Sequence, residues 1–129
     1  MNKLFIDTDV LIDFSHGKSH LLENILKEKQ TELFINPVII AEFFTDEALK
    51  GEKKEKAIEF FTHFTVLEIT GKIGFLAGEL LQSRKTNFLG DALVAGTCLA
   101  NQIPLLTRNK KHFTKVPNLL FYSPTSMKN

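Results

Sequence analysis

Two apolar triplets, Leu4-Phe5-Ile6 and Leu33-Phe34-Ile35, each run straight into a helix-start signal, and this junction constrains the fold more than any other feature of the chain. A short apolar run without polar alternation reads as a strand covered on both faces. Asp7-Thr8-Asp9 follows the first triplet and opens a helix-like series of Val10, Leu11, Ile12 and Phe14. Asn36-Pro37 follows the second, an N-cap ahead of a proline whose absent N–H has no partner at the first helical position in any case.

The same alternation continues to the end. Ser19 is placed to cap a helix bearing Leu21, Leu22, Ile25 and Leu26. A helix is expected over 37–49, with apolar residues around most of its circumference, so it is buried or faces a partner. Gly51 ends it, and an amphipathic helix over 52–64 carries Ala57, Ile58, Phe60, Phe61 and Phe64. A strand over 65–69 leads to a Thr70-capped helix reaching Arg84, in which Gly74 and Gly78 permit close approach to a neighbour. After a loop over 85–90, a helix of small residues begins at Asp91 and runs to Asn101. Strands over 103–106 and 119–121, separated by a helical turn over 109–113, complete the pattern. Strands alternating with helices imply an α/β fold with a mainly parallel central sheet and helices on both faces, and residues 1–129 make one domain of ordinary size.

Three acids are embedded in these apolar stretches. Asp7 closes the first strand, Glu42 interrupts Val38-Ile39-Ile40-Ala41 before Phe43-Phe44, and Asp91 opens Ala92-Leu93-Val94-Ala95. A buried carboxylate is costly unless it is paired, hydrogen-bonded or bound to a cation. In parallel sheets the ligand site lies beyond the carboxyl ends of the strands, where winding reverses. Asp7 lies at such an end, Glu42 in the helix after the second strand, Asp91 at a helix start and Asn109 just after the fourth strand. Clustered acids take up protons or recruit a hard divalent cation such as Mg²⁺ or Mn²⁺, which prefers oxygen ligands together with phosphate. That combination suits phosphodiester hydrolysis.

Four segments in order, Phe5-Ile6-Asp7-Thr8-Asp9-Val10-Leu11-Ile12-Asp13, Ile39-Ile40-Ala41-Glu42-Phe43, Gly90-Asp91-Ala92-Leu93-Val94-Ala95 and Leu105-Leu106-Thr107-Arg108-Asn109-Lys110-Lys111-His112-Phe113, resemble the signature segments of PIN-domain ribonucleases. The likeness covers nearly the whole chain and is closest to VapC-type toxins of toxin–antitoxin pairs. It implies a three-layer α/β/α PIN-like domain and a Mg²⁺- or Mn²⁺-dependent endoribonuclease that acts on RNA, is held in check by an antitoxin protein and commonly dimerises. Carried over, Asp7, Glu42 and Asp91 are the metal-binding acids, and with Asn109 they form the catalytic set. Asn109 departs from the commoner Asp and removes one negative charge. Thr8, Asp9 and Thr107 support the site, Asp9 as a helix cap or as added charge. The resemblance also implies that the ion held by Asp7 and Asp91 polarises a water and the scissile phosphate, while Glu42 orients the water or holds a second ion.

Other features weigh on this reading. Arg108, Lys110 and Lys111, with His112 and Lys115, form the one basic stretch and are candidates for RNA phosphate contacts, with a solvated turn as the bland alternative. Net charge is only +1, so no global basic field marks a nucleic-acid binder. His16 and His20 have helical spacing, but Gly17 stands where a metalloprotease motif needs Glu, which speaks against zinc. Twelve phenylalanines, among them Phe43, Phe44, Phe60, Phe61 and Phe64, are core or the groove for an antitoxin segment. The lone cysteine, Cys98, cannot form an internal disulfide, and no apolar run approaches the roughly 20 residues of a membrane span, so a cytoplasmic protein without a membrane segment is expected. Two rival functions are a catalytically silent PIN-like module that binds RNA or protein, and a haloacid dehalogenase-like phosphatase, whose motif also begins with a strand and Asp7-Thr8-Asp9.

Overall fold

The computed structural model describes residues 2–18, 20–28 and 30–122. Four parallel strands form the sheet: β1 (Asn2–Ile6), β2 (Thr31–Ile35), β3 (Thr65–Val66) and β4 (Leu105–Leu106), in the spatial order β3-β2-β1-β4. Along β1, Leu4, Phe5 and Ile6 are all buried, although successive side chains point to opposite faces of a strand. Both faces of the sheet are therefore covered, which makes three layers. Leu33, Phe34 and Ile35 repeat this in β2, paired in register with β1 through Leu4 opposite Leu33 and Phe5 opposite Phe34.

Helices α1 (Thr8–Ser15) and α2 (Leu21–Leu26) connect β1 to β2. Next come α3 (Pro37–Phe43) and α4 (Glu52–Phe61) before β3, then α5 (Gly71–Gln82) and α6 (Leu89–Asn101) before β4, with a single 3-10 turn at Lys110–His112. Among the described residues, no helix is long and apolar enough to cross a membrane. Two of the expected caps form: Asn36 Oδ1 accepts from the Ile39 N–H at 3.2 Å and Thr70 Oγ1 from the Ile73 N–H at 3.3 Å. Ser19 lies outside the described residues.

Several boundaries move. The helix expected over 37–49 stops at Phe43, because the Thr45 hydroxyl donates to the Glu42 carbonyl and the Asp46 carboxylate captures the Ala48 N–H, turning the chain. Its apolar surface is not buried all round: Ile39 and Phe43 are buried, but Ala41 is exposed. The helix expected over 52–64 ends at Phe61, and that expected to reach Arg84 ends at Gln82. The third strand is two residues, with the Leu67 N–H adding one more bond to Ile35 O at 2.8 Å, and β4 is two residues of the four expected. The strand expected over 119–121 is a single parallel bridge between Leu105 and Phe121. Helix α6 begins at Leu89 instead of Asp91, so Asp91 lies inside its first turn.

The glycines thought to allow close packing do not do so. A Cβ at Gly74 or Gly78 would meet nothing within 4 Å among the described residues, whereas one at Gly96 would sit 3.2 Å from the Ile73 carbonyl oxygen. It is Gly96 of α6 that lets α6 press on α5. Phe43, Phe61 and Phe64 are buried in the core and Phe14, Phe44 and Phe60 pack partly buried against it: Phe43 lies edge-on to Phe61 at 5.1 Å, Phe60 to Phe64 at 5.2 Å, and Phe14 stacks on Phe60 at 5.3 Å. Cys98 is buried in the core, its thiol pushed up by burial and then by the charge of Asp7.

Candidate active site

The winding reverses at β1. The chain proceeds outward through β2 and β3, then returns to place β4 on the other side of β1. The crevice beyond β1 and β4 is thus the switch point at which ligands bind in such sheets. Asp7 leaves the end of β1 and Thr107 the end of β4, and they meet: Thr107 Oγ1 donates to Asp7 Oδ2 at 2.8 Å. The other oxygen of Asp7 accepts from the Thr8 N–H at 2.8 Å, so Asp7 caps α1.

Thr107 is the hub of this crevice. Its hydroxyl oxygen also accepts from the Asn109 N–H at 3.0 Å and stands 3.4 Å from Asp9 Oδ2. Asp9 in turn accepts from the Arg108 N–H at 3.3 Å, which ties the loop after β4 to the first turn of α1. Of the two roles expected for Asp9, the cap goes to Asp7, and Asp9 contributes charge. The Arg108 guanidinium bonds the Asp13 carboxylate, one turn along α1 from Asp9. Arg108, one of the three candidates for RNA contact, is thus paired while its side chain stays exposed, and Lys110 and Lys111 are exposed on the following turn.

Burial pushes the Asp7 carboxyl up to about 7, and the negative charge of Asp9 adds to the effect. Hydrogen bonds from Thr107 and Thr8 pull it down, and the charge of Asp91 pushes it further up. Asp9 and Asp91 are raised as well, in each case first by burial. Among the three, Asp7 is the one raised by neighbouring acids as well as by burial.

The three acids differ more than their sequence contexts imply. Only Asp7 is buried, at 7 % exposure; Asp91 is half-buried, and Glu42 is exposed on the outer side of α3. Glu42 nevertheless reaches the crevice: Thr8 Oγ1 donates to its Oε1 at 2.6 Å, and Thr8 itself is buried. Its second oxygen lies 3.0 Å from where a Cβ on Gly90 would be, so Gly90 leaves the space that Glu42 occupies. Asp91 Oδ2 pairs with His112 Nδ1 at 3.0 Å. Asn109 joins the crevice through its backbone N–H; its side chain is exposed and makes no capping bond among the described residues.

Two of these contacts were missed in the sequence. Asp13 stands four residues after Asp9, one turn further on the same helix face, a spacing that was available to read. Nothing local marks His112 as the partner of Asp91. His20 bonds the nearby Glu23 at 3.1 Å.

The donors fit a hard divalent cation in type, being carboxylate and hydroxyl oxygens around a buried acid whose charge its neighbours oppose. They are not drawn into a closed shell: among the described residues no group of three His, Cys, Asp or Glu side chains is close enough to hold a metal. Glu42 and Asp91 are turned to Thr8 and His112 instead. Next to the crevice, an apolar groove of about 690 Å³ runs between the ends of α1 and α3 and the face of α4, lined by Ile12, Phe14, Phe43, Leu49, Ala57 and Phe60, with Glu42 also in its wall.

Gly90 gives this geometry a direct test. Gly90→Ala should leave stability within about 1 kcal/mol, since alanine favours a helix, but lower any activity that uses Glu42 roughly 10- to 100-fold by pushing its carboxylate off Thr8. Gly78→Ala, with nothing to strike, should leave that activity unchanged, as paired thermal-melt and rate measurements would show.

Comparison with known proteins agrees with this architecture. The chain is 24% identical to a protein named ribonuclease VapC from Rickettsia bellii, over 90% of this chain and 92% of the relative. Among solved structures it resembles VapBC2 from Rickettsia felis bound to a promoter DNA fragment, with a TM-score of 0.74, 22% identity and coverage of 93% of this chain and 97% of that one. It also resembles a toxin–antitoxin complex from Klebsiella pneumoniae, with a TM-score of 0.76, 24% identity and coverage of 91% and 95%. The model of the PIN domain matches residues 4–119, and with the strand order and crevice described above it identifies the chain as a member of the PIN domain family.

Proposed function

We propose that this protein is an endoribonuclease, dependent on Mg²⁺ or Mn²⁺, that acts as the toxin of a toxin–antitoxin pair. The observation that carries the reading is the buried Asp7 carboxyl at the switch point, raised to about 7 with Asp9 and Asp91 both opposing its charge. The names of the relatives, a ribonuclease and toxin–antitoxin complexes, support it. Membership of the PIN domain family leaves no place for the haloacid dehalogenase-like phosphatase.

Asp7 and Asp91 would hold the cation, with Glu42 beside them. When bound, it would supply a Lewis acid that activates water and neutralises phosphate charge. Thr107 and the Thr8 N–H fix both oxygens of Asp7, so its orientation is set before substrate arrives. Thr8 holds Glu42 Oε1, leaving Oε2 to orient the attacking water. Water adds to phosphorus as the bond to the 3′-oxygen breaks, giving a 5′-phosphate and a 3′-hydroxyl. Lys110 and Lys111 contact backbone phosphates, and Asn109 borders the scissile group. The apolar groove beside Glu42 takes an apolar segment of the antitoxin, which would cover the acid.

The test is incubation with total RNA in Mg²⁺, in Mn²⁺ and in chelator, with the new ends mapped. Cleavage in either metal, loss in chelator and 5′-phosphate ends are expected. RNA binding without cleavage in either metal would instead establish a silent PIN-like module.

A further inference from the structure

Phe88 is a large apolar ring left 59 % exposed, three residues before Asp91 and at the N-cap of α6. It is not loose on the surface. Its ring lies 5.7 Å from the imidazole of His112, tilted by 38°. That imidazole is itself held by Asp91 Oδ2 at 3.0 Å. Two aromatic faces, from the start of α6 and from the 3-10 turn, are thereby assembled at the rim of the carboxylate crevice. Neither contributes to the buried core, and Lys110 and Lys111 stand on the same turn as His112.

Unpaired RNA bases are taken up by stacking on aromatic side chains, while neighbouring cations hold the phosphates. We infer that Phe88 and His112 form a stacking platform for an unpaired base next to the scissile phosphate. The arrangement selects single-stranded RNA, because a base in a duplex has no free face to offer. Its role is to bind and place the strand; Phe88 carries no group able to take part in bond breaking. Leu89, the next residue, is exposed as well. This inference rests on the ribonuclease reading above.

The experiment is steady-state cleavage of a pool of short, randomised, single-stranded RNA in Mg²⁺ and in Mn²⁺, using the full chain. Phe88→Ala should raise KM about tenfold with kcat unchanged. Phe88→Trp should restore the wild-type KM, and Phe88→Leu, apolar but unable to stack, should behave as alanine does. An unchanged KM in Phe88→Ala, or a wild-type KM in Phe88→Leu, overturns the platform while leaving the nuclease intact. So does a change of sedimentation state in Phe88→Ala, which would make the ring a contact between protein chains. No cleavage by the wild-type chain overturns the ribonuclease reading itself, and the platform with it.

Discussion

Asp7→Asn should reduce RNA cleavage on the order of 10³-fold or more, because it removes the one buried acid of the crevice. The substitution is nearly isosteric. It keeps one oxygen to accept from Thr107 or the Thr8 N–H, so the fold should survive, as circular dichroism would verify. Binding of Mn²⁺ should weaken in parallel. If the variant cut RNA at the wild-type rate, the site would lie elsewhere.

The same carboxyl sets the second large effect, a pH dependence of the cation-free protein. In the folded chain Asp7 keeps its proton up to about 7, whereas unfolded it releases it near its ordinary 3.8. Between these values the folded state binds more protons than the unfolded state, so stability falls as pH rises through the window and stays low above it. The fall is on the order of 4 kcal/mol from Asp7 alone, and the raised carboxyls of Asp9 and Asp91 act in the same direction. Urea denaturation in chelator from pH 4 to 8 measures this directly. Asp7→Asn should flatten the curve, matching wild type near pH 4 and exceeding it at pH 8. Saturating Mn²⁺ should recover about 2.7 kcal/mol at a hundredfold excess over its Kd in the wild type, and much less in the variant. A flat wild-type profile would mean that Asp7 is not confined as described.

What was legible in the sequence was local. The junctions at Asp7 and at Asn36-Pro37 combine a strand end, a cap and a helix start within a few residues, so the chemistry that forms them is written side by side. The strand order followed from the number and direction of such units only as a class, an α/β sheet. What misled was also local. Apolar residues through Phe44 suggested a longer helix, but the hydroxyl of Thr45 and the carboxylate of Asp46 compete for the backbone and end it. Asp91 looked like the start of a helix, where an acid is favoured, yet Leu89 and Gly90 are already helical. Glu42 was expected to be buried because its neighbours are apolar. A helix presents Ile39 and Phe43 on one face and can leave the residue between them on another. The pair of Asp91 with His112 depends on how distant segments dock, which no window of sequence contains, whereas Asp13, the partner of Arg108, was marked by its spacing from Asp9.

The bond between Thr107 and Asp7 joins positions 100 residues apart. During synthesis Asp7 precedes Thr107 by 100 residues, and at about 5–20 residues per second the interval lasts several seconds. Throughout it, β1 lacks its β4 neighbour, and the carboxylate that anchors the crevice has no hydroxyl to orient it. The crevice around Asp7 is consequently assembled only once β4 and Thr107 have been made. A chain truncated before β4 would lack both the neighbour of β1 and the hydroxyl that orients Asp7.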